Sequence, residues 1–178
     1  MNTELLNWML VFEEPALTYR VLTELLDRPA DDDEVLTAKA AIPESGTVKG
    51  IFAKMHPEGF WLQKNYKGEI LGAGEQYGSF GTTHFVLSYL SELGMERSDP
   101  RIEKAANRYL NLMLEDGSWN NHFSCRYTYN IRTFAKMGYR DDERIQRTID
   151  LMLSTERDDG GYLCDMHEGK YKTRQTKS

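Results

Sequence analysis

Three stretches of this chain end an apolar, helix-like run in the same way, with a glycine, one further residue and a large aromatic ring. They are Ile51 to Trp61, closing on Gly59-Phe60-Trp61; Tyr109 to Trp119, closing on Gly117-Ser118-Trp119; and Met152 to Tyr162, closing on Gly160-Gly161-Tyr162. Gly117 and Gly160 stand 43 positions apart, and at that offset Ile102 falls on Ile145, Ala106 on Ile149, Tyr109 on Met152 and Leu110 on Leu153. A repeat of this length is the signature of stacked helical hairpins, because one hairpin cannot bury its apolar face without a neighbour.

The rest of the chain reads as helices of that kind. Apolar spacing predicts a short helix over 3–12, with Leu5, Leu6, Trp8, Met9 and Phe12. A second begins at Pro15, a residue suited to a first turn, and carries Leu17, Val21, Leu22, Leu25 and Leu26. The run Asp31-Asp32-Asp33-Glu34 places carboxylates at the positive end of a helix that reaches Ile42. Ser45-Gly46-Thr47 opens the next, expected over 47–55. Thr82-Thr83 caps another, over 83–93, stopped by Gly94. Asp99-Pro100 begins a helix through Met113, and the plan repeats over 127–137 and 142–155 around Gly138 and Asp141-Asp142. No stretch alternates as a strand would, so the expected class is all-α, built from antiparallel helix pairs. Between Leu62 and Thr82 lies a long irregular segment with Gly68, Gly72, Gly74, Gly78 and Gly81; loops of this length in compact domains usually serve a function or move.

The 178 residues, 40% of them apolar, support one core. A net charge of −6 with scattered Lys and Arg argues against a phosphate-tracking surface, and the basic cluster Lys170 to Lys177 reads as a solvated tail, so no nucleic-acid partner is expected. The longest apolar run, Trp8 to Phe12, is far too short to span a bilayer, and Glu4 stands where a signal peptide carries basic residues; a cytoplasmic protein is the expectation. Two cysteines form no disulfide framework.

Residues 109–119, and more loosely 51–61 and 152–162, resemble the QW-type repeat of squalene and hopene cyclases; related Gly-aromatic repeats occur in protein prenyltransferase β subunits. The resemblance covers residues 45–178. It departs from the family at the Gln position, where His56, Leu114 and Arg157 stand, so links that a Gln would make between helix ends are altered. The resemblance implies a partial α/α toroid over 45–178, with 83–93 and 127–137 as inner helices and 47–55, 99–113 and 142–155 as outer ones. Residues 1–44 would form a HEAT-like N-terminal helical cap. A closed ring needs more hairpins than this chain supplies, so a fragment, or an open array completed by a partner or an oligomer, is expected.

The same geometry would put the loops after each corner at one mouth of an apolar cavity. Phe85, Tyr89, Tyr127 and Tyr129 are candidates for its lining, since aromatic faces stabilise cationic intermediates, although aromatics at helical spacing more often fill a core. His122-x-x-Cys125 and Cys164-x-x-His167 together offer a Cys2His2 set suited to zinc, against the plainer reading of loop histidines and partly buried thiols. A cyclase of this type needs an Asp-x-Asp-Asp acid. Asp31-Asp32-Asp33-Glu34 approaches it only superficially, and Asp158-Asp159 belongs to a corner. No Asp-rich diphosphate motif appears either. Three functions follow as expectations: a domain like the isoprenoid enzymes, binding an apolar isoprenoid-type ligand; a non-catalytic helical-repeat scaffold for a protein partner; and a carbohydrate-active α/α barrel, disfavoured because the acidic residues fall at helix starts and turns.

Overall fold

The structure is a computed structural model and describes residues 3–70, 81–119, 124–158 and 160–162; of Thr3, Ser124 and Cys125 only the backbone is described. The helices are α1 (Thr3–Val11), α2 (Pro15–Arg20), α3 (Asp33–Ala41), α4 (Gly46–Phe52), α5 (Thr83–Glu92), α6 (Pro100–Leu110), α7 (Ser124–Lys136) and α8 (Glu143–Ser154). Among the described residues there is no strand, only the isolated bridges Lys64–Ile70 and Glu156–Tyr162. The regular structure of the described residues is all helical.

Side-chain caps start these helices where the acids and hydroxyls stand. Asp32 accepts the Glu34 N–H, Ser45 the Val48 N–H, Asp99 the Arg101 N–H and Asp142 the Arg144 N–H, each filling an orphan donor of a first turn. The acidic run at Asp31 is therefore a helix start, further tied by Arg28 to Asp32 and Glu34. At the other end, α5 and α7 stop alike. Met95 N–H bonds to Leu90 O at 3.0 Å and Tyr139 N–H to Phe134 O at 2.8 Å, across Gly94 and Gly138 at φ +88 and +87.

Three expectations about helix extent are corrected. The helix expected over 47–55 ends at Phe52 as α4, after which the Lys54 and Met55 N–H groups bond three residues back, to Ile51 O and Phe52 O. The helix from Pro15 is not uniform, because after Arg20 it widens into a π-helical turn over Val21–Leu25, which leaves both Val21 and Leu22 buried. Helix α6 stops at Leu110 rather than Met113: the Leu112 and Met113 N–H groups bond three residues back, to Tyr109 O and Leu110 O, so the chain tightens into the corner.

Helices α5 and α7 lie side by side, α6 folds back on α5, and α8 folds back on α7. The main core fills the space between them with Leu87, Leu90, Ile102, Ala106, Tyr109, Leu110, Phe134, Met137 and Ile145. A smaller cluster of Leu22, Val35 and Ala38 joins the π-helical turn to α3 and meets the main core through Tyr19 of α2.

The three corners share one hydrogen-bond pattern. His56 N–H donates to Phe60 O at 2.8 Å, Leu114 N–H to Ser118 O at 2.7 Å, and Arg157 N–H to Gly161 O at 2.8 Å; each glycine N–H then donates back to the carbonyl of His56, Leu114 or Arg157. Gly59, Gly117 and Gly160 have φ of +89, +89 and +77, a region where a Cβ is strained. In the first two corners the ring turns back on its own helix: Trp61 Nε1–H donates to Ile51 O at 3.0 Å and Trp119 Nε1–H to Tyr109 O at 3.2 Å. With backbone closing the turn, His56 is left to stack on Phe60 at 4.2 Å between centroids.

Candidate functional site

A cleft of about 1220 Å³ opens between α4, the segment after the first corner, and α5. Its apolar wall is Ile51, Trp61, Phe85, Val86 and Tyr89, with Tyr129 reaching in from α7; Thr47, Gln63, Lys54, Lys64 and Glu92 supply polar groups. On the α4 side Gly46 and Gly50 present bare backbone, and a Cβ built on either would meet nothing within 4 Å. The first corner is held to α5 by Thr83, whose Oγ1 accepts the Trp61 N–H at 2.9 Å and donates to Trp61 O. Thr83 thus sets the edge of the cleft, and the N-cap residue Thr82 makes no side-chain cap bond.

Of the residues singled out in the sequence, Phe85, Tyr89 and Tyr129 come together in this wall. Phe85 and Tyr129 meet edge to face at 5.5 Å. Tyr127 is buried, because two residues along a helix are about 200° apart; it lies on the side of α7 that also buries Asn130 and Phe134. His122, Cys164 and His167 lie outside the described residues, and Cys125 is described only by its backbone at the start of α7. Among the described residues no three His, Cys, Asp or Glu side chains are grouped to hold a metal.

Behind the wall sits a polar group that the sequence did not single out. His84, 6% exposed, has Nδ1 2.9 Å from Asn130 Oδ1 and 3.2 Å from the Tyr109 hydroxyl. An acceptor at Oδ1 puts the proton on Nδ1. Burial, helped by the nearby Arg126 charge and opposed by the Asn130 bond, lowers the imidazole to about 4, so His84 is neutral at pH 7. Its ring packs edge-on to Phe85 at 4.8 Å and lies 5.4 Å from Tyr129, so it braces the two aromatics that face the cleft. Tyr109, fully buried, stacks between Trp119 and Phe134 and links this group to the second corner.

At the far end of α5, Glu92 is met by Arg132 Nη1 at 2.6 Å, Lys136 Nζ at 2.8 Å and Arg20 Nη1 at 3.9 Å. Burial alone would raise this carboxyl, but the Lys136 bond and the charges of Arg132 and Arg20 outweigh it and hold Glu92 below the usual range. Glu92 therefore stays ionised and is a poor proton donor. Neither His84 nor the Glu92 cluster carries a local sequence signal, since each is assembled from separate helices.

Compared with known proteins, the chain matches no family model and no curated protein at a significant level. Among the described residues no helix is long and apolar enough to cross a membrane.

Proposed function

We propose that this chain is a helical-repeat domain, similar to the isoprenoid-binding toroids, that holds an apolar isoprenoid-type chain in the cleft between α4 and α5. The observation that carries this reading is the pairing of an aromatic wall, Phe85, Tyr89 and Tyr129, with the open glycine face of Gly46 and Gly50 across from it. The cleft pairs this aromatic wall with a polar side of Thr47, Lys54, Gln63, Lys64 and Glu92. A concave apolar wall beside a few polar groups suits a hydrophobic chain with a polar end. The reading is one of binding rather than of acid catalysis, since the one carboxylate in the described wall is kept ionised by its cations.

The test is a titration with a dansyl-labelled farnesyl probe, competed by unlabelled prenyl alcohols. Saturable, competable binding is expected, weakened by about tenfold or more in Gly50→Leu. Replacing a mid-helix glycine by leucine favours the helix by about 0.8 kcal/mol, so the variant should be no less stable and a loss of binding reports on the cleft. No saturation, or equal binding by the variant, rejects the reading.

The second reading is a non-catalytic scaffold for a protein partner. What favours it is the face of helix α1 and the residue after it, where Leu5, Trp8, Val11 and Phe12 are all exposed, and exposed apolar surface of this kind marks interaction sites. Loss of a pulled-down partner in Trp8→Ser, with probe binding unchanged, would separate the two.

A further inference from the structure

We propose that the third corner and the adjoining face of α8 form a docking site for a helix of a partner polypeptide, one that begins Asp-x-Arg and carries a small side chain six residues after the Asp. The first two corners already hold such a helix. At the first, a Cβ on Gly59 would lie 2.9 Å from Lys104 Cγ and 3.5 Å from Ala105 N; at the second, a Cβ on Gly117 would lie 2.7 Å from Arg147 O and 3.1 Å from Thr148 N. Lys104 and Arg147, and likewise Ala105 and Thr148, are separated by the repeat offset, so each glycine receives the same point of the next outer helix.

Each incoming helix is also clamped at its start by an arginine held on its own capping aspartate. Arg101 is held by Asp99, lies over the Phe52 ring at 4.2 Å and donates to Pro43 O. Arg144 is held by Asp142 and donates to Asn107 Oδ1 and Asn111 Oδ1, both at 2.8 Å.

The third corner has the same turn, and its glycine lacks such a helix neighbour among the described residues. A Cβ on Gly160 would meet nothing within 4 Å. Leu110 in α6 is 1% exposed, whereas its counterpart Leu153 in α8 is 56% exposed. At the positions of Asn107 and Asn111, α8 carries Asp150 and Ser154, both exposed. Where Pro57 O receives the Lys104 ammonium at the first corner, the third carries exposed Asp158. This face therefore continues an interface formed twice already, with carboxylates replacing neutral acceptors, and it is complementary to the arginine and basic residue of the expected helix.

The test uses the full chain and, as probe, a fluorescent peptide of residues 139–156, stapled between positions 146 and 150 and shown to be helical by circular dichroism. Saturable binding is expected. Ser154→Trp, a change at an exposed position, should abolish it. Asp150→Lys in the protein and Arg144→Glu in the peptide should each weaken binding by roughly fivefold, and the two together should restore part of the loss. No binding of the helical peptide, or binding indifferent to Ser154→Trp and to the charge pair, overturns the proposal. So does self-association of the chain alone that Ser154→Trp removes, since a second copy would then be the occupant.

Discussion

Gly117 rests on the backbone of Arg147 so closely that a Cβ on it would stand 2.7 Å from the Arg147 carbonyl oxygen. The obstacle is main chain in the middle of α8 and cannot swing aside. Gly117→Ala therefore combines the penalty of a left-handed alanine, about 1–2 kcal/mol, with displacement of α8, and we expect a total loss of roughly 3 kcal/mol or more. Gly160→Ala carries only the backbone penalty, because nothing described lies near its Cβ position. Gly59→Ala should fall between, as its nearest neighbour is the flexible Lys104 side chain. Urea denaturation of the three variants checks the order, and equal losses at Gly117 and Gly160 would refute the account of the corner.

The ring that follows the glycine works through both area and a hydrogen bond. Trp119 is buried, stacks on Tyr109 at 5.7 Å between centroids and donates from Nε1 to Tyr109 O. Trp119→Phe keeps most of the packing and removes one donor from that carbonyl, which still accepts the Leu112 N–H, for a cost of about 1 kcal/mol. Trp119→Ala should cost about 3–5 kcal/mol. Thermal unfolding of both variants checks this, and a Phe variant as damaged as the Ala variant would place the weight on shape alone.

What was legible in the sequence is what local chemistry decides. A glycine before a ring announces a left-handed corner, and Asp99 and Asp142 announce helix starts, because the glycine's φ and the cap bond lie within a few residues of each other. The class of fold followed from these. What was not legible depends on contacts across helices. Thr83 looked like part of a cap but clips the Trp61 segment, 22 residues away. Tyr127 and Tyr129 look alike in an aromatic stretch, yet only the packing of α7 on its neighbours decides which is buried. His84 meets Tyr109 and Asn130 from two other helices, and Glu92 draws its cations from α2 and α7, so neither group exists until the array is assembled.

Asp142 should matter more than an ordinary cap. It accepts the Arg144 N–H and also holds the guanidinium that reaches Asn107 in α6 and Asn111 just past its end. Asp32 caps α3 alike, but its arginine partner, Arg28, is exposed and local. Asp142→Ala is expected to cost about 2 kcal/mol and Asp32→Ala clearly less. The Arg144 bond, against the opposing effect of burial, holds the Asp142 carboxyl below the usual range. Its contribution is thus present above the ordinary carboxylate pKa and fades as pH falls through the lower folded value. Equal losses in the two variants at pH 7 would show that the reach to α6 adds nothing.

His84 gives the fold a pH dependence of its own. Its imidazole is lowered from 6.5 to about 4 in the folded chain, chiefly by burial, so between those values the unfolded chain takes up a proton that the folded chain refuses. Folding stability is then complete above about pH 6.5, falls as the pH drops, and levels off below about 4. Across pH 7 to 4.5 this one group removes about 2–3 kcal/mol. His84→Gln keeps an amide that can bond to Asn130 and does not titrate, so its stability should change less over the same interval, by that difference. Urea denaturation of both proteins at pH 7 and pH 4.5 measures it. Parallel losses in the two proteins would mean that the imidazole is solvated in the fold, and the bracing of Phe85 and Tyr129 by a dry, neutral ring would have to be abandoned.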